Sequence, residues 1–265
     1  ANVSIFKSMT SRERWLACLV LGLLALAFGP NVTQPVDYHQ FADRRSWASV
    51  PHALDVLSNL PFAAFGLWGW SLAGGWPYGA RRTESTGVAR MARCFFAGLV
   101  LTAMASAYYH WAPDNWGLAV DRLGMVMAFA GLLGLATHVH VSPRAGWLTG
   151  WTVLLAGPAA IAIWMITANA MPWVCLQLGG MLLLALCAVW KASHAAEVRI
   201  NWPCVLALYA LAKVLEVADH QVFELTQQLV SGHSLKHLTA SLAAWPICVA
   251  MNRQNPAAQL AHARV

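Results

Sequence analysis

Apolar residues run through this chain in long uninterrupted blocks, without the alternation of a half-buried strand or the one-sided stripe of a surface helix. The blocks fall at 15–28, 52–73, 91–111, 117–139, 147–168, 171–190, 202–223 and 233–251. Most approach the roughly 20 residues that carry a helix across the hydrocarbon core of a bilayer. Pro113, Pro143, Pro172 and Pro203 stand at or near the junctions, and Gly74-Gly75-Trp76-Pro77 closes the second block. The pattern predicts an all-α polytopic integral membrane protein with eight transmembrane helices, an N-terminal helix followed by a seven-helix core. No internal repeat or low-complexity segment breaks this plan, and no stretch is long enough for a separate soluble domain. The predicted organisation is a cytoplasmic segment and anchor helix at 1–30, a membrane domain at 31–253 and a tail at 254–265. The first block follows Lys7, Arg12 and Arg14 and ends in Ala25-Leu26-Ala27, which has the small-x-small form of a signal-peptidase site. It is expected to be a retained signal anchor.

Composition agrees with the pattern. Of 265 residues 58% are hydrophobic and 11% charged, against about 25% charged in soluble domains, which excludes a soluble globular enzyme. The net charge of +6 does not indicate nucleic acid, because the basic residues stand singly or in pairs at block ends with no aromatic-interleaved patch. They report orientation instead. One side would carry Lys7, Arg12, Arg14, Arg81, Arg82, Arg90, Arg93, Arg144, Lys191, Arg199, Arg253 and Arg264, and the other only Arg44, Arg45, Arg122 and Lys236, with Lys213 inside a block. The positive-inside rule then predicts both termini in the cytoplasm. On the opposite, outer side gather Asp37, Asp43, Asp55, Asp114, Asp121, Asp219 and Glu224. The six cysteines show no CxxC spacing and read as packing thiols. Tryptophans such as Trp47, Trp111, Trp116, Trp173 and Trp202 near block ends read as interfacial anchors.

Ionisable residues inside apolar spans are costly and mark functional sites by default. Ser106-Ala-Tyr-Tyr-His110 places a hydroxyl and an imidazole on one helix face at the outer end of the third block. Asp121 enters the start of the fourth block eleven residues later, and His233-Ser-Leu-Lys-His237 opens the eighth with two imidazoles one turn apart. Because the helices alternate in direction, all three places lie at the outer interface. His110, His233 and His237 can therefore meet around one metal ion, and three neutral imidazoles plus a water form the tetrahedral arrangement of a catalytic zinc. Asp121 is then the candidate proton acceptor and Ser106 the candidate oxyanion donor. The bland readings are packing for Ser106, snorkelling to lipid phosphate for Lys236, and capping or local hydrogen bonding for His39, His52, His138, His140, His194, His220 and His262. Glu216, Asp219 and His220 near the outer end of the seventh block receive no role from the pattern.

The ordered set Ser58-Asn59, Ser106-x-x-x-His110, Asp121 with Met125 four residues on, Asp219 and His233-x-x-x-His237 resembles the alkaline ceramidase family. That family belongs to a superfamily of seven-helix membrane hydrolases that also contains the adiponectin and progestin receptors. The resemblance covers roughly residues 37 to 250, and the words Asp37-Tyr-His-Gln-Phe-Ala-Asp43 and Asp55-Val-Leu-Ser58-Asn59-Leu-Pro are similar to its bacterial branch. It implies zinc on His110, His233 and His237, and roles for Ser106 and Asp121 in splitting the amide of ceramide or a related N-acyl lipid into a long-chain amine and a fatty acid. It also implies a bacterial inner-membrane protein whose site opens outward and whose partner is a membrane lipid. Eukaryotic members bind calcium through an acidic N-terminal segment; here Asp37 and Asp43 are the comparable acids, with Gln40 and Ala42 between them, which argues against calcium. The alternative from another class is a non-catalytic lipid or small-molecule receptor with a structural zinc. Its site would be closed by four protein ligands, whereas three histidines leave a position for water. A transporter is the weakest option, since no inverted-repeat pattern of broken helices is recognisable.

Overall fold

The computed structural model describes residues 9–74, 82–192 and 198–253. The expectations for Lys7, Arg81, His194, His262 and Arg264, for Gly75-Trp76-Pro77 and for the tail at 254–265 lie outside the described residues. Among the described residues there are eleven helices and no strand beyond an isolated Trp47–Val50 bridge. They are α1 (Ser11–Ala27), α2 (Ala53–Leu57), α3 (Leu60–Gly74), α4 (Arg82–Trp111), α5 (Asn115–His140), α6 (Pro143–Thr167), α7 (Met171–Val189), α8 (Trp202–Val217), α9 (Asp219–Leu225), α10 (Gly232–Leu242) and α11 (Trp245–Arg253).

Local chemistry sets the helix starts. Asp114 accepts from the Gly117 N–H at 2.6 Å to begin α5, and Ser142 accepts from the Ala145 N–H at 3.0 Å to begin α6. Pro143, Pro172 and Pro203 lie in the first turns of α6, α7 and α8, where a missing N–H costs nothing. Four helices are long and apolar enough to cross a membrane: Thr86–Trp111 within α4, α5, α6 and α7. The other blocks are shorter or broken. The second block divides at Ser58-Asn59, where the Ser58 hydroxyl and the Asn59 amide both donate to the Asp55 carbonyl, at 3.0 and 2.8 Å, and so compete with the helical ladder. The seventh divides at Ala218 and the eighth between Leu242 and Trp245.

Connections of two or three residues join α4, α5, α6 and α7 as antiparallel neighbours. The α4–α5 interface is the most intimate. A Cβ at Gly98 would fall on the Ala128 backbone, and one at Gly131 on the Phe95 backbone. Small residues thus let the two helices approach as membrane helices do. On either side pack α3 and α6, while α8 pairs with α10 and α1 leans on α7. The Arg12 guanidinium ties α1 to the far ends of α5 and α7, donating to the His140 carbonyl at 2.7 Å and the Lys191 carbonyl at 2.6 Å. Phe96, Leu135, Ile247 and Met251 fill the interior, whereas Leu155, Ile166, Leu178, Val214 and Val217 face outward, an apolar exterior suited to lipid. Trp47, Trp111 and Trp116 are exposed as anchors should be, but Trp173 and Trp202 are buried. Trp173 and Trp164 instead flank the Arg122 guanidinium, 5.4 and 4.3 Å from their ring centroids.

The segment between α1 and α2 folds back over the end of the bundle where α4 stops and α5 and α10 begin. His39 holds it there, with Nδ1 2.8 Å from the Tyr109 hydroxyl and Nε2 2.9 Å from Asn115 Oδ1, while His220 Nε2 donates to the Gln40 carbonyl at 3.1 Å. Phe41 is thereby placed against the buried histidines.

Candidate metal centre

The last turns of α4 contribute Ser106 and His110, and the first turns of α10 contribute His233 and His237. One ligand atom from each histidine lies within 4.8 Å of the others, and all three side chains are buried. His110 Nε2 and His233 Nε2 are 3.2 Å apart. Two nitrogens each about 2.0–2.1 Å from one tetrahedral ion would sit roughly 3.3–3.4 Å apart, so the pair already has a chelating separation.

His237 supplies the third nitrogen through a specific tautomer. Ser58 Oγ donates to the Asp55 carbonyl, so it can only accept from His237 Nδ1, 2.8 Å away. The proton is then on Nδ1 and the lone pair on Nε2, which is buried without a hydrogen-bond partner. An orphaned acceptor facing two further imidazole nitrogens fits a transition metal. Imidazole suits zinc, copper, iron and nickel alike, so the donor set does not choose among them.

Carboxylates hold the start of α10 in place. Asp219 accepts from the His233 N–H at 2.8 Å and, through its other oxygen, from the Ala42 N–H at 2.9 Å. Asp55 Oδ1 accepts from Ser231 Oγ at 3.1 Å and Ser234 Oγ at 2.6 Å. The Phe41 ring closes the cluster with centroids 4.6 Å from His110 and 4.5 Å from His233.

All five residues singled out in the sequence meet at this end of the bundle. The histidines touch, Ser106 lies buried one turn behind His110, and the buried Asp121 carboxylate on α5 faces Ser106, with Lys236, Glu216 and Arg122 as its charged neighbours. Asp37 and Asp43 do not join it. The Asp43 carboxylate accepts from Arg45 Nε at 2.8 Å and Arg45 Nη2 at 2.6 Å, and Asp37 is exposed. Burial alone would raise the Asp43 carboxyl, but the Arg45 hydrogen bonds and charge outweigh it and hold Asp43 below the ordinary carboxylate range.

Lys236 departs from expectation. Its side chain is 19% exposed and does not reach for lipid. Nζ lies 3.0 Å from Glu216 Oε1 and 3.0 Å from His233 Nε2, and Glu216 is also paired with Lys213. Sequence reasoning gave no role to Ser58, Asp55 or Phe41 at the centre. The small-polar pair Ser58-Asn59 inside an apolar block was the available signal. No protein-family model matches the chain, and no curated protein matches it.

Proposed function

We propose that this protein is a metal-dependent membrane hydrolase, similar to the alkaline ceramidases, that cleaves the amide of ceramide or a related N-acyl lipid to a long-chain amine and a fatty acid. The observation that supports the reading is a buried group of three imidazoles, with no fourth ligand among the described residues, beside a serine and an aspartate. In this reading the ion is zinc, and the chain crosses a bacterial inner membrane eight times with both termini cytoplasmic and the site toward the outer face. The broken blocks at 52–73, 202–223 and 233–251 then count as passes with interrupted helices.

A bound divalent ion would lower the pKa of a water toward neutrality and polarise the acyl carbonyl. Asp121 accepts the proton of the attacking water as its oxygen bonds the carbonyl carbon, then delivers that proton to the amine nitrogen as the carbon–nitrogen bond breaks. Ser106 donates to the oxygen on which charge develops. His237 stays in its ligating tautomer through Ser58.

Purified protein supplied with zinc should release fatty acid from a panel of N-acyl lipids that includes ceramide, and should retain one zinc per chain that is lost in H233A/H237A. Fatty acid released only from ester phospholipids would overturn the amidase reading, and unchanged metal content in the double variant would overturn the centre.

A further inference from the structure

Three charged residues beside the histidines, Lys236, Glu216 and Lys213, have no part in the chemistry above. Lys236 stands on α10 three residues after one ligand position and one before the other. The i, i+3 spacing sends it over the face that carries His233. Its ammonium occupies the side of the cluster from which an ion would approach His233: Nζ is 3.0 Å from His233 Nε2, the same atom that lies 3.2 Å from His110 Nε2. An N–H of the ammonium therefore points at a lone pair that a metal must take.

This is a built arrangement. An ammonium held away from water costs free energy unless it is paired, and Glu216 reaches across from α8 to pair it at 3.0 Å. Glu216 does not neutralise it fully, because its other oxygen is shared with Lys213 on its own helix. Asp121 and Tyr38 also feel the Lys236 charge, as do His110 and His237. The ammonium is thus tethered on one side, aimed at a ligand nitrogen on another, and next to the proposed proton acceptor.

We propose that Lys236 is a catalytic residue of the centre: it occupies the His233 lone pair when no metal is bound, and once a metal takes that nitrogen its freed N–H holds the carbonyl oxygen of the acyl group being cleaved. The second half rests on the hydrolase reading; the first rests on the residues alone. As water adds to the carbonyl carbon, the π pair moves onto the oxygen, and the ammonium keeps all its protons and stabilises that oxygen by a charged hydrogen bond. Glu216 keeps Nζ in place when it leaves His233.

The test uses the full chain in detergent, with zinc affinity read by competition with a chromophoric chelator and hydrolysis by fatty-acid release. A unit charge about 4 Å from a dication opposes it measurably even at the dielectric of water. K236M should therefore bind zinc about tenfold or more tightly than the unsubstituted chain. Its kcat should fall on the order of 10²-fold with KM changed only a few-fold, the size expected for a lost oxyanion donor. K236R, which keeps the charge, should retain the original zinc affinity and recover a large part of kcat. A merely structural lysine gives the opposite sign, since damage to α10 weakens zinc binding and catalysis together. Unchanged or weaker zinc binding in K236M, or an unchanged kcat, would overturn the proposal. Failure of the unsubstituted chain to hydrolyse any N-acyl lipid while K236M still binds zinc more tightly would overturn the hydrolase reading and the carbonyl contact, and leave the competition at His233 standing.

Discussion

Replacing Ser58 by alanine removes a single oxygen that touches no metal, and it should still weaken metal binding 10- to 100-fold. Ser58 Oγ sits between the Asp55 carbonyl, to which it donates at 3.0 Å, and His237 Nδ1, from which it accepts at 2.8 Å. Alanine removes the acceptor that the His237 Nδ1–H meets at 2.8 Å and leaves it only the neighbouring Asp55 carbonyl, a loss of up to the about 1–3 kcal/mol of an unsatisfied buried donor. The ring can escape that penalty by moving its proton to Nε2, but this removes the lone pair that faces His110 and His233. Either course takes about 1.4–2.7 kcal/mol from the bound state, which is the tenfold to hundredfold loss seen for outer-layer partners of ligating histidines. The assay is zinc competition against a chelator of known affinity at fixed pH, with thermal unfolding run alongside to show that the chain is intact. S58T, which keeps the hydroxyl, should stay close to the unsubstituted affinity, and H237A should lose far more than S58A because it deletes a ligand. Zinc affinity within twofold of the original in a folded S58A would refute the tautomer argument. A nitrogen NMR measurement placing the His237 proton on Nε2 would do so directly.

D121N should lose activity by orders of magnitude yet keep most of its zinc, because it removes proton transfer more than ligation; loss of the metal would make Asp121 a ligand. S106A should be milder, at or below the 10²- to 10³-fold cost of an oxyanion donor. G131A should lower the unfolding temperature, because its Cβ falls on the Phe95 backbone and overpacking costs about 1–3 kcal/mol; a rise, as helix propensity alone would give, refutes the close approach. Asp43 has its carboxyl depressed by Arg45, so its contribution is present above the unfolded value near pH ~3.9 and is lost as pH falls through the lower folded value. The unfolding-temperature advantage of the unsubstituted chain over D43N should therefore shrink below about pH 4, and a gap that widens there would reverse the assignment. An impermeant thiol reagent should label cysteines placed at Asn115 and Glu224 in intact spheroplasts, and one placed at Ala192 only after permeabilisation; the reverse pattern would invert the proposed orientation.

Hydropathy marked where helices lie more faithfully than where they begin and end. The blocks at 117–139, 147–168 and 171–190 became continuous helices, in which Thr137 and Thr167 each bond a carbonyl four residues back, at 2.8 and 2.7 Å, without breaking the ladder. The block at 91–111 became a helix that begins at Arg82, since the turns before it are helical without being apolar. The second block hid its break because Ser58 and Asn59 barely change an average over 20 residues, and only their bonds to Asp55 show that the chain turns there. The histidines were legible because His233 and His237 share one helix and His110 ends another, so alternation of direction was enough to bring them together. Lys236 was not. The rule for a lysine near a span end is to reach outward, and what reverses it is Glu216, twenty residues earlier on a different helix, at a rotation that the hydrophobic pattern does not encode.

The same distinction explains the carboxylates gathered at this end of the bundle, which read in the sequence as a sign of chemistry. Irregular backbone is expensive in a membrane because no water satisfies its N–H groups, and this end carries the broken α2–α3 and α8–α9 junctions, the start of α10 and a returning loop. Asp114 and Asp219 accept backbone N–H groups there, Asp55 binds the two hydroxyls that open α10, and Asp43 fixes Arg45 beside the loop. Each has its charge committed to holding a turn. Asp121 is buried on a regular stretch of α5 and caps nothing, facing instead a serine and a lysine that both border the histidines. In the proposed hydrolase, a carboxylate that holds no turn and stands beside three imidazoles is the one available to carry a proton.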